Sequence, residues 1–351
     1  MTSTDLTTTR LTPTLVLAGL PLVDGVDLQL GVDIEADLPA LWAVADAARA
    51  ADGEHERDSL DGMTSHYRHL ERCDPAGDFL IARVGDAVAG YARVEWNDSN
   101  DGERWYEGVG VVDPVWRRRG IGTLLLAWTE RRRAEIAAEH TASGETVDRV
   151  RAFTTFIFDG DRGGRILLEA AGYVPVRRFA SMQRADLDAI TEDALPDGFE
   201  IRPIARELTA MREVFDADVE AFRDHFGWTE GSDESFAQFV EDPGVDPELW
   251  IVAFEGSEVA GAVLTGVHTD PEGHRAGWLD SIFTRRPWRR RGLARALIAR
   301  SLVLLRDRGL TTASLGVDLT NPHEALSLYE SCGFRPVSWA TSYRKPLPPA
   351  G

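Results

Sequence analysis

The chain is written twice. The run Trp116-Arg117-Arg118-Arg119-Gly120 returns 172 residues later as Trp288-Arg289-Arg290-Arg291-Gly292. The triplet Val88-Ala89-Gly90 returns 171 residues later as Val259-Ala260-Gly261. "LLEAAGYVPV" (Leu167–Val176) returns at a spacing of 161 as "LYESCGFRPV" (Leu328–Val337). The landmarks keep their order, and the first copy carries about eleven extra residues around "AAEHTASGETVD". A period this long is a duplicated domain, not a solenoid. The acidic, Pro- and Gly-bearing stretch 191–198, "TEDALPDG", separates two periodic regions and predicts a linker. The first domain is then 1–190 and the second 199–351.

Each copy follows the same plan. A short strand leads into one or two amphipathic helices, and a β-hairpin follows. Then come a strand, the arginine–glycine turn, a long helix, a strand, a short helix and a last strand. Helices interleaved with a mixed sheet predict an α/β (α+β) fold in each half. With 43% hydrophobic and 27% charged residues, the chain has the make-up of a packed globular protein.

The formal net charge is -20. Nucleic acid and anionic membrane surfaces need an extended positive field, so neither is an expected partner. No stretch approaches the roughly 20 apolar residues of a bilayer span, and the N-terminus lacks the basic start of a signal peptide. The two cysteines, Cys73 and Cys332, make no disulfide framework, which fits a cytoplasmic setting.

Against that acidity, five arginines fall within Arg285–Arg291, directly before a glycine and an apolar helix. A strand, a glycine-bearing turn and a helix start together form an anion site. Unpaired N–H groups point outward there and the helix dipole adds positive charge. Gly120 and Gly122, and Gly292 and Ala294, let an oxygen approach the backbone. Neither G-x-x-x-x-G-K-[ST] nor G-x-G-x-x-G after a strand is present. The cluster therefore predicts a phosphate dock of another kind.

Arg117-x-x-Gly120-x-Gly122 and Arg289-x-x-Gly292-x-Ala294 resemble the acetyl-CoA pyrophosphate motif of the GNAT acetyltransferase superfamily. "NPHEALSLYESCGF" (Asn321–Phe334) resembles its later motif, N-x-x-A-x-x-L-Y-x-x-x-G-F, at every marked position. Nearly the whole chain is thus similar to tandem, two-domain GNAT proteins with the organisation of mycothiol synthase. The resemblance implies two GNAT acyl-CoA N-acyltransferase folds and direct transfer of an acetyl group from acetyl-CoA to a primary amine of a small molecule. It also implies a cofactor site made of Ile282, Phe283 and Thr284 on the strand, Arg289, Arg290, Arg291, Gly292, Leu293 and Ala294 in the turn, and Asn321. Asn321 could equally be the N-cap of the following helix.

Such a reaction sets three tasks: the amine must lose its proton, the carbonyl oxygen must be polarised, and the departing thiolate should be protonated. Tyr329 matches the family's helix tyrosine and is expected to serve the thiolate. Asp280 is the expected general base, with Asp318 the alternative. Cys332 is expected to pack, His268 and His274 to be solvated, and no metal is expected.

Aligning the closing helices places Gly160 opposite Asn321, Gly164 opposite Ala325 and Leu168 opposite Tyr329. The first copy keeps the turn and lacks the phenol, so it is expected to be non-catalytic and to wall the acceptor cleft. Glu54, Glu56 and Asp58 in the loop 50–63 would suit a cationic amine. The second copy, 199–351, is expected to carry its own core and to fold alone. An acyl-CoA sensor without turnover and a tRNA-dependent aminoacyl transferase are the competing classes. Tyr329 argues against the first and the charge against the second.

Overall fold

A computed structural model of the chain describes residues 17, 19–54, 58–100, 102–144, 149–269, 273–320 and 325–347. Asn321 and Glu56 lie outside the described residues. The first half runs β1 (Asp27–Leu30), α1 (Ile34–Asp52), α2 (Leu60–Arg68), β2 (Phe79–Val84), β3 (Ala87–Asp98), β4 (Glu103–Val112), α3 (Ile121–Ser143), β5 (Val150–Phe158), α4 (Arg162–Ala170) and β6 (Val174–Arg184). The second repeats this order as β7 (Glu200–Arg202), α5 (Leu208–Ala221), α6 (Asp233–Glu241), β8 (Ile251–Glu255), β9 (Glu258–Thr269), β10 (Arg275–Thr284), α7 (Leu293–Asp307), β11 (Ala313–Asp318), α8 (Ala325–Ser331) and β12 (Arg335–Pro346). The mixed α/β architecture expected from the repeat is present in both halves.

The repeated landmarks have packing reasons. In each half a two-residue hairpin begins on a left-handed glycine, Gly85 or Gly256, as such turns require. The glycine of each Val-Ala-Gly triplet lets the next strand come close. A Cβ at Gly90 would meet the Val111 carbonyl oxygen at 2.7 Å, and one at Gly261 the Phe283 carbonyl oxygen at 2.6 Å.

The strands form one twelve-stranded sheet in the order β1-β2-β3-β4-β5-β12-β6-β11-β10-β9-β8-β7. Its centre departs from a simple tandem. The last strand of the second half, β12, pairs antiparallel with β5 of the first, placing Tyr343 opposite Thr155. The last strand of the first half, β6, pairs with β11 of the second, placing Ala180 opposite Val317. The halves have exchanged their closing strands. Burial follows the exchange: Ala180, Met182, Leu187 and Ile190 complete the core under α7 and α8, and Tyr343 completes the core under α3 and α4. A fragment starting at residue 199 would lack β6 and those core residues. The expectation of a self-sufficient second core is therefore corrected.

The stretch 191–198 is held against α7. Arg295 pairs with Asp193 at 3.0 Å, Arg300 donates to the Asp193 carbonyl at 2.5 Å and Arg291 donates to the Asp197 carbonyl at 3.2 Å. Helices α1 and α2 cover one face of the first half, and α5 and α6 cover one face of the second. Helix α2 meets α6 across the centre, so these four helices form one layer. His66 bonds Gln238 at 2.9 Å there, and Ser232 donates to Glu71 at 2.8 Å. Among the described residues no helix is long and apolar enough to cross a membrane.

Candidate active site

Two forks in the sheet position the site. The parallel ladder between β4 and β5 ends at Glu107 opposite Thr154, although β4 continues to Val112. The ladder between β10 and β11 ends at Trp278 opposite Ser314, although β10 continues to Thr284. Beyond each fork one edge of the strand has backbone N–H and C=O groups with no strand partner. An extended amide-bearing arm can take them up as an added strand would.

Each forked strand runs into an arginine–glycine turn of the same shape. Arg117 and Arg289 are extended (φ −61°, ψ 156° and φ −64°, ψ 157°). Arg118 and Arg290 are left-handed at φ 63° and 64°, and among the described residues they are the only non-glycine positions with positive φ. Gly120 and Gly292 follow at φ 91° and 83° and open α3 and α7. Left-handed residues alternating with right-handed ones curl successive N–H groups toward one point, an anion-binding concavity that the helix dipole reinforces. A left-handed arginine is costly, so its presence at the same position of both turns marks a functional constraint.

The arginine side chains divide their labour. Arg289 donates to the Thr284 carbonyl at 3.0 Å, to the Ala221 carbonyl at 2.8 Å and to Asp224 at 3.5 Å, tying the strand end to α5. Arg286 also pairs with Asp224, Arg285 pairs with Glu220 at 2.6 Å and Arg291 pairs with Glu255 at 2.9 Å. Arg290 is exposed and, among the described residues, has no such partner. Most of the basic run is thus neutralised within the protein. What remains for an anion is the backbone concavity and Arg290.

Of the remaining predicted positions, Leu293 is buried as the first residue of α7 and Ala294 is the second. Phe283 packs under α5, and Ile282 packs partly against the α7 core. The Thr284 hydroxyl is buried beside the turn with no hydrogen-bond partner among the described residues. Free ladder groups, two curled turns and an orphaned hydroxyl suit the amides and pyrophosphate of acetyl-CoA.

Asp280 sits at the second fork. The register against β9 slips between Leu279 and Ser281, so Asp280 is the bulged residue. Such a bulge re-aims a side chain. Its carboxylate lies 3.7 Å from His268 Nε2, and both side chains are about half exposed. Protein packed around the fork displaces water from the Asp280 carboxyl and pushes it up against the opposing pull of His268, while the nearby Asp280 carboxylate pushes His268 up. His268 is solvated, as expected, and it also faces this carboxylate. The next residue, Ser281, donates to Asp218 on α5, whose carboxyl burial pushes up to about 6.

Tyr329, on α8, is 9% exposed and packs edge-on to Phe334 at 6.5 Å. Burial pushes its phenol up to about 12, so it stays a neutral donor across the physiological range. In the first half Leu168 is buried at the matching position. A Cβ at Gly160 would meet the Asp52 carbonyl at 2.1 Å, and one at Gly164 the Asp161 carboxylate at 2.2 Å. Gly160 is imposed by the Asp52 backbone, and Gly164 leaves room for the Asp161 side chain that caps α4.

A cavity of about 890 Å3 lies along the first fork and turn, reaching Gly120 and Gly122 at one end and His268 and Gly244 of the second half at the other. Asp58 lines it and forms an ion pair with Arg49 at 2.9 Å, while Glu54 is a buried member of the same wall. Sequence reasoning missed Asp218 and Glu107, which also belong to the forked regions, because nothing in their local sequence marks them. Among the described residues no group of His, Cys, Asp and Glu could hold a metal ion.

Comparisons with known proteins agree with this geometry. The pattern of the Acetyltransferase (GNAT) family matches residues 42–150 and again 211–334. Mycothiol acetyltransferase of Thermobispora bispora is 30% identical over 315 residues, covering 88% of this chain and 96% of that protein. The protein of the same name from Thermomonospora curvata is 32% identical over 274 residues, covering 77% and 82%. Among solved structures, a GCN5-related N-acetyltransferase from Sphaerobacter thermophilus superposes with a TM-score of 0.69 at 26% identity, covering 94% of this chain and 98% of that one. A tandem GNAT protein from the clavulanic acid biosynthesis pathway shares the fold, with a TM-score of 0.65 at 18% identity over 93% of this chain and 100% of that one. With both halves matched by the family pattern, the chain belongs to the GNAT acetyltransferase family and is a tandem N-acetyltransferase.

Proposed function

We propose that the protein transfers an acetyl group from acetyl-CoA to the primary amine of a small molecule, and that the second half, 199–351 with β6 of the first, is the main reaction centre. The reading rests on one observation: the second half unites a forked strand, a curled turn, a carboxylate at the fork and a buried phenol on α8, whereas the first half has leucine in place of the phenol.

In this reading the N–H groups of Arg291, Gly292, Leu293 and Ala294 and the Arg290 side chain hold the pyrophosphate, and Arg289 keeps the turn in shape. Free backbone groups of Ile282, Phe283 and Thr284 hold the arm and polarise the acetyl carbonyl. Asp280 takes the ammonium proton, and its raised proton affinity makes it a better acceptor than an ordinary aspartate. Tyr329 donates to the departing sulfur. Asn321 keeps its expected place beside the cofactor as part of the proposal. Arg117, Gly120 and Gly122 supply a second cofactor turn in the first half. The acceptor approaches Asp280 from the His268 side, where the cavity of the first half reaches the second; the second turn and Tyr329 do not line that cavity.

Relatives named for mycothiol make an amine precursor of mycothiol the first acceptor to try, in a cytoplasmic setting. The test is thiol release from acetyl-CoA by the full-length protein with that amine, with the product identified by mass spectrometry. Acetylated amine formed at the same rate as thiol is expected. Acetyl-CoA binding without thiol release across a panel of primary amines would instead favour an acyl-CoA sensor.

A further inference from the structure

The first half has lost the phenol but not a carboxylate at its fork. Glu107 is the last residue of the β4–β5 ladder, at the point where the two strands part. Asp280 follows the corresponding last pair of β10–β11 by two residues. Glu107 lines the 890 Å3 cavity that also touches the first cofactor turn. No hydrogen bond or ion pair of Glu107 is found among the described residues.

Its surroundings isolate it. Glu95 stands directly opposite on β3, but Arg93 is engaged with Glu95, at 2.8 and 3.3 Å. Arg133 is committed elsewhere. It donates to the Tyr106 carbonyl of β4 at 3.2 Å and the Thr154 carbonyl of β5 at 2.9 Å, wedging the fork open from the α3 side. It also donates to the Thr129 carbonyl and the Tyr173 hydroxyl. Gly108 makes room for that wedge, since a Cβ there would lie 2.9 Å from the guanidinium carbon. Burial first, and then Glu95, pushes the Glu107 carboxyl up to about 6, against the opposing pull of the Arg93 and Arg133 charges. An unpaired carboxylate of that kind is matched to accepting a proton from an amine near neutral pH.

We propose that Glu107 is the proton acceptor of a second acyl-transfer centre in the first half, one that runs without a phenol and takes a primary amine as acceptor. This rests on the acetyltransferase reading above. Glu107 takes one proton from the ammonium. The freed amine nitrogen forms the C–N bond to the acetyl carbon, and the C–S bond breaks. The sulfur leaves as thiolate and receives, through water, the second proton lost by the nitrogen as it becomes an amide. The Glu107 proton then passes to solvent. The products are the amide, free CoA thiol and one proton. Without a donor at Leu168 this centre is slower than the second half.

Two measurements on the full-length protein test this. The first is calorimetric titration with acetyl-CoA near pH 6.5 in buffers of different ionisation enthalpy. An acetyl group seated at the first fork removes water from Glu107 and raises its proton affinity further, so binding takes up protons. The Glu107→Gln variant is expected to lose part of that uptake while still binding. Identical uptake in the two proteins would overturn the proposal. The second is thiol release with glucosamine as probe amine in an Asp280→Asn, Tyr329→Phe background. A slow residual rate that adding Glu107→Gln removes is expected. A residual rate insensitive to Glu107→Gln, or none above the uncatalysed reaction, would also overturn it. If the wild-type protein binds acetyl-CoA with proton uptake but acetylates nothing, the acetyltransferase reading fails on its own.

Discussion

Arg117 and Arg289 make the same three contacts from opposite halves of the chain. Each reaches the carbonyl five residues upstream, a carbonyl near the end of the facing helix (Ala48 or Ala221) and a carboxylate just beyond it (Asp52 or Asp224). The first arginine of each motif is a brace that sets the turn, and the left-handed residue after it is the one the proposed reading gives to the anion.

This division predicts different losses from adjacent arginines. Arg289→Lys should weaken acetyl-CoA binding at the second turn and lower the melting temperature, because an ammonium cannot reproduce the guanidinium fork. Arg290→Ala should weaken binding alone. Gly292→Val forces a β-branched residue into φ 83°, a cost of roughly 1–2 kcal/mol or more. Space is open there, with the nearest side-chain atom 4.0 Å from an added Cβ, so the protein should fold and bind less at that site. Calorimetry paired with thermal unfolding separates these outcomes; equal melting losses at Arg289 and Arg290 would contradict the brace.

Tyr329→Phe keeps the ring against Phe334 and removes the donor. The acetylation kcat should fall roughly 100- to 10,000-fold, the range of general acid catalysis, with little change in stability. Leu168→Ala should instead cost about 2–5 kcal/mol of stability through a buried cavity. A Tyr329→Phe enzyme with wild-type kcat would remove the phenol from the mechanism.

Asp280 must be ionised to accept a proton, and its carboxyl is raised. The rate should therefore fall as pH drops through that raised value, giving an acid limb in kcat/KM. His268→Gln removes the nearby cation that favours ionisation, so the limb should move to higher pH. Asp280→Asn should abolish it. A limb unmoved by either substitution would transfer the role to another group, with Asp218 next in line.

His69 bridges the halves. Its Nδ1 lies 2.5 Å from Glu234 and its Nε2 3.0 Å from Glu241, both on α6. A neutral imidazole can donate to only one of them, so the double contact calls for the imidazolium, and the bond to Glu234 raises its proton affinity. The sign follows from linkage. This contribution is fully present below the ordinary histidine value and is lost as pH rises through the raised folded value. Hydrogen exchange in α2 and α6 should accelerate as pH rises above that value in the wild type. In His69→Gln it should be fast throughout, and pH-independent protection in the wild type would rule the contact out as a latch.

Strand exchange predicts that residues 199–351 alone aggregate, because β11 and β12 would expose the edges that β6 covers. Co-expression with residues 1–198 should restore a soluble two-chain protein. A soluble, folded 199–351 monomer detected by circular dichroism and gel filtration would show that β12 can close onto β11 instead.

The sequence by itself determined the duplication, the order of elements in each half, the two curled turns and the contrast between Tyr329 and Leu168. These are local features: a glycine at positive φ, a run of apolar residues or a tyrosine in a helix motif is written in consecutive residues. Only the tertiary structure decided which strand closes which half. "VPVRRFASMQR" and "RPVSWATSYRKP" are copies of one another, so either could lie beside β5 or β11, and the choice rests on packing between residues far apart in the chain, such as Ala180 with Val317 and Tyr343 with Thr155. The same holds for charge. The arginine run reads as an exposed cation cluster until Glu220, Asp224 and Glu255 neutralise most of it. Glu107 and Asp218 look like ordinary acids in the sequence. Their proton affinities come from burial at a fork or against a helix, and burial exists only once distant strands have been brought together.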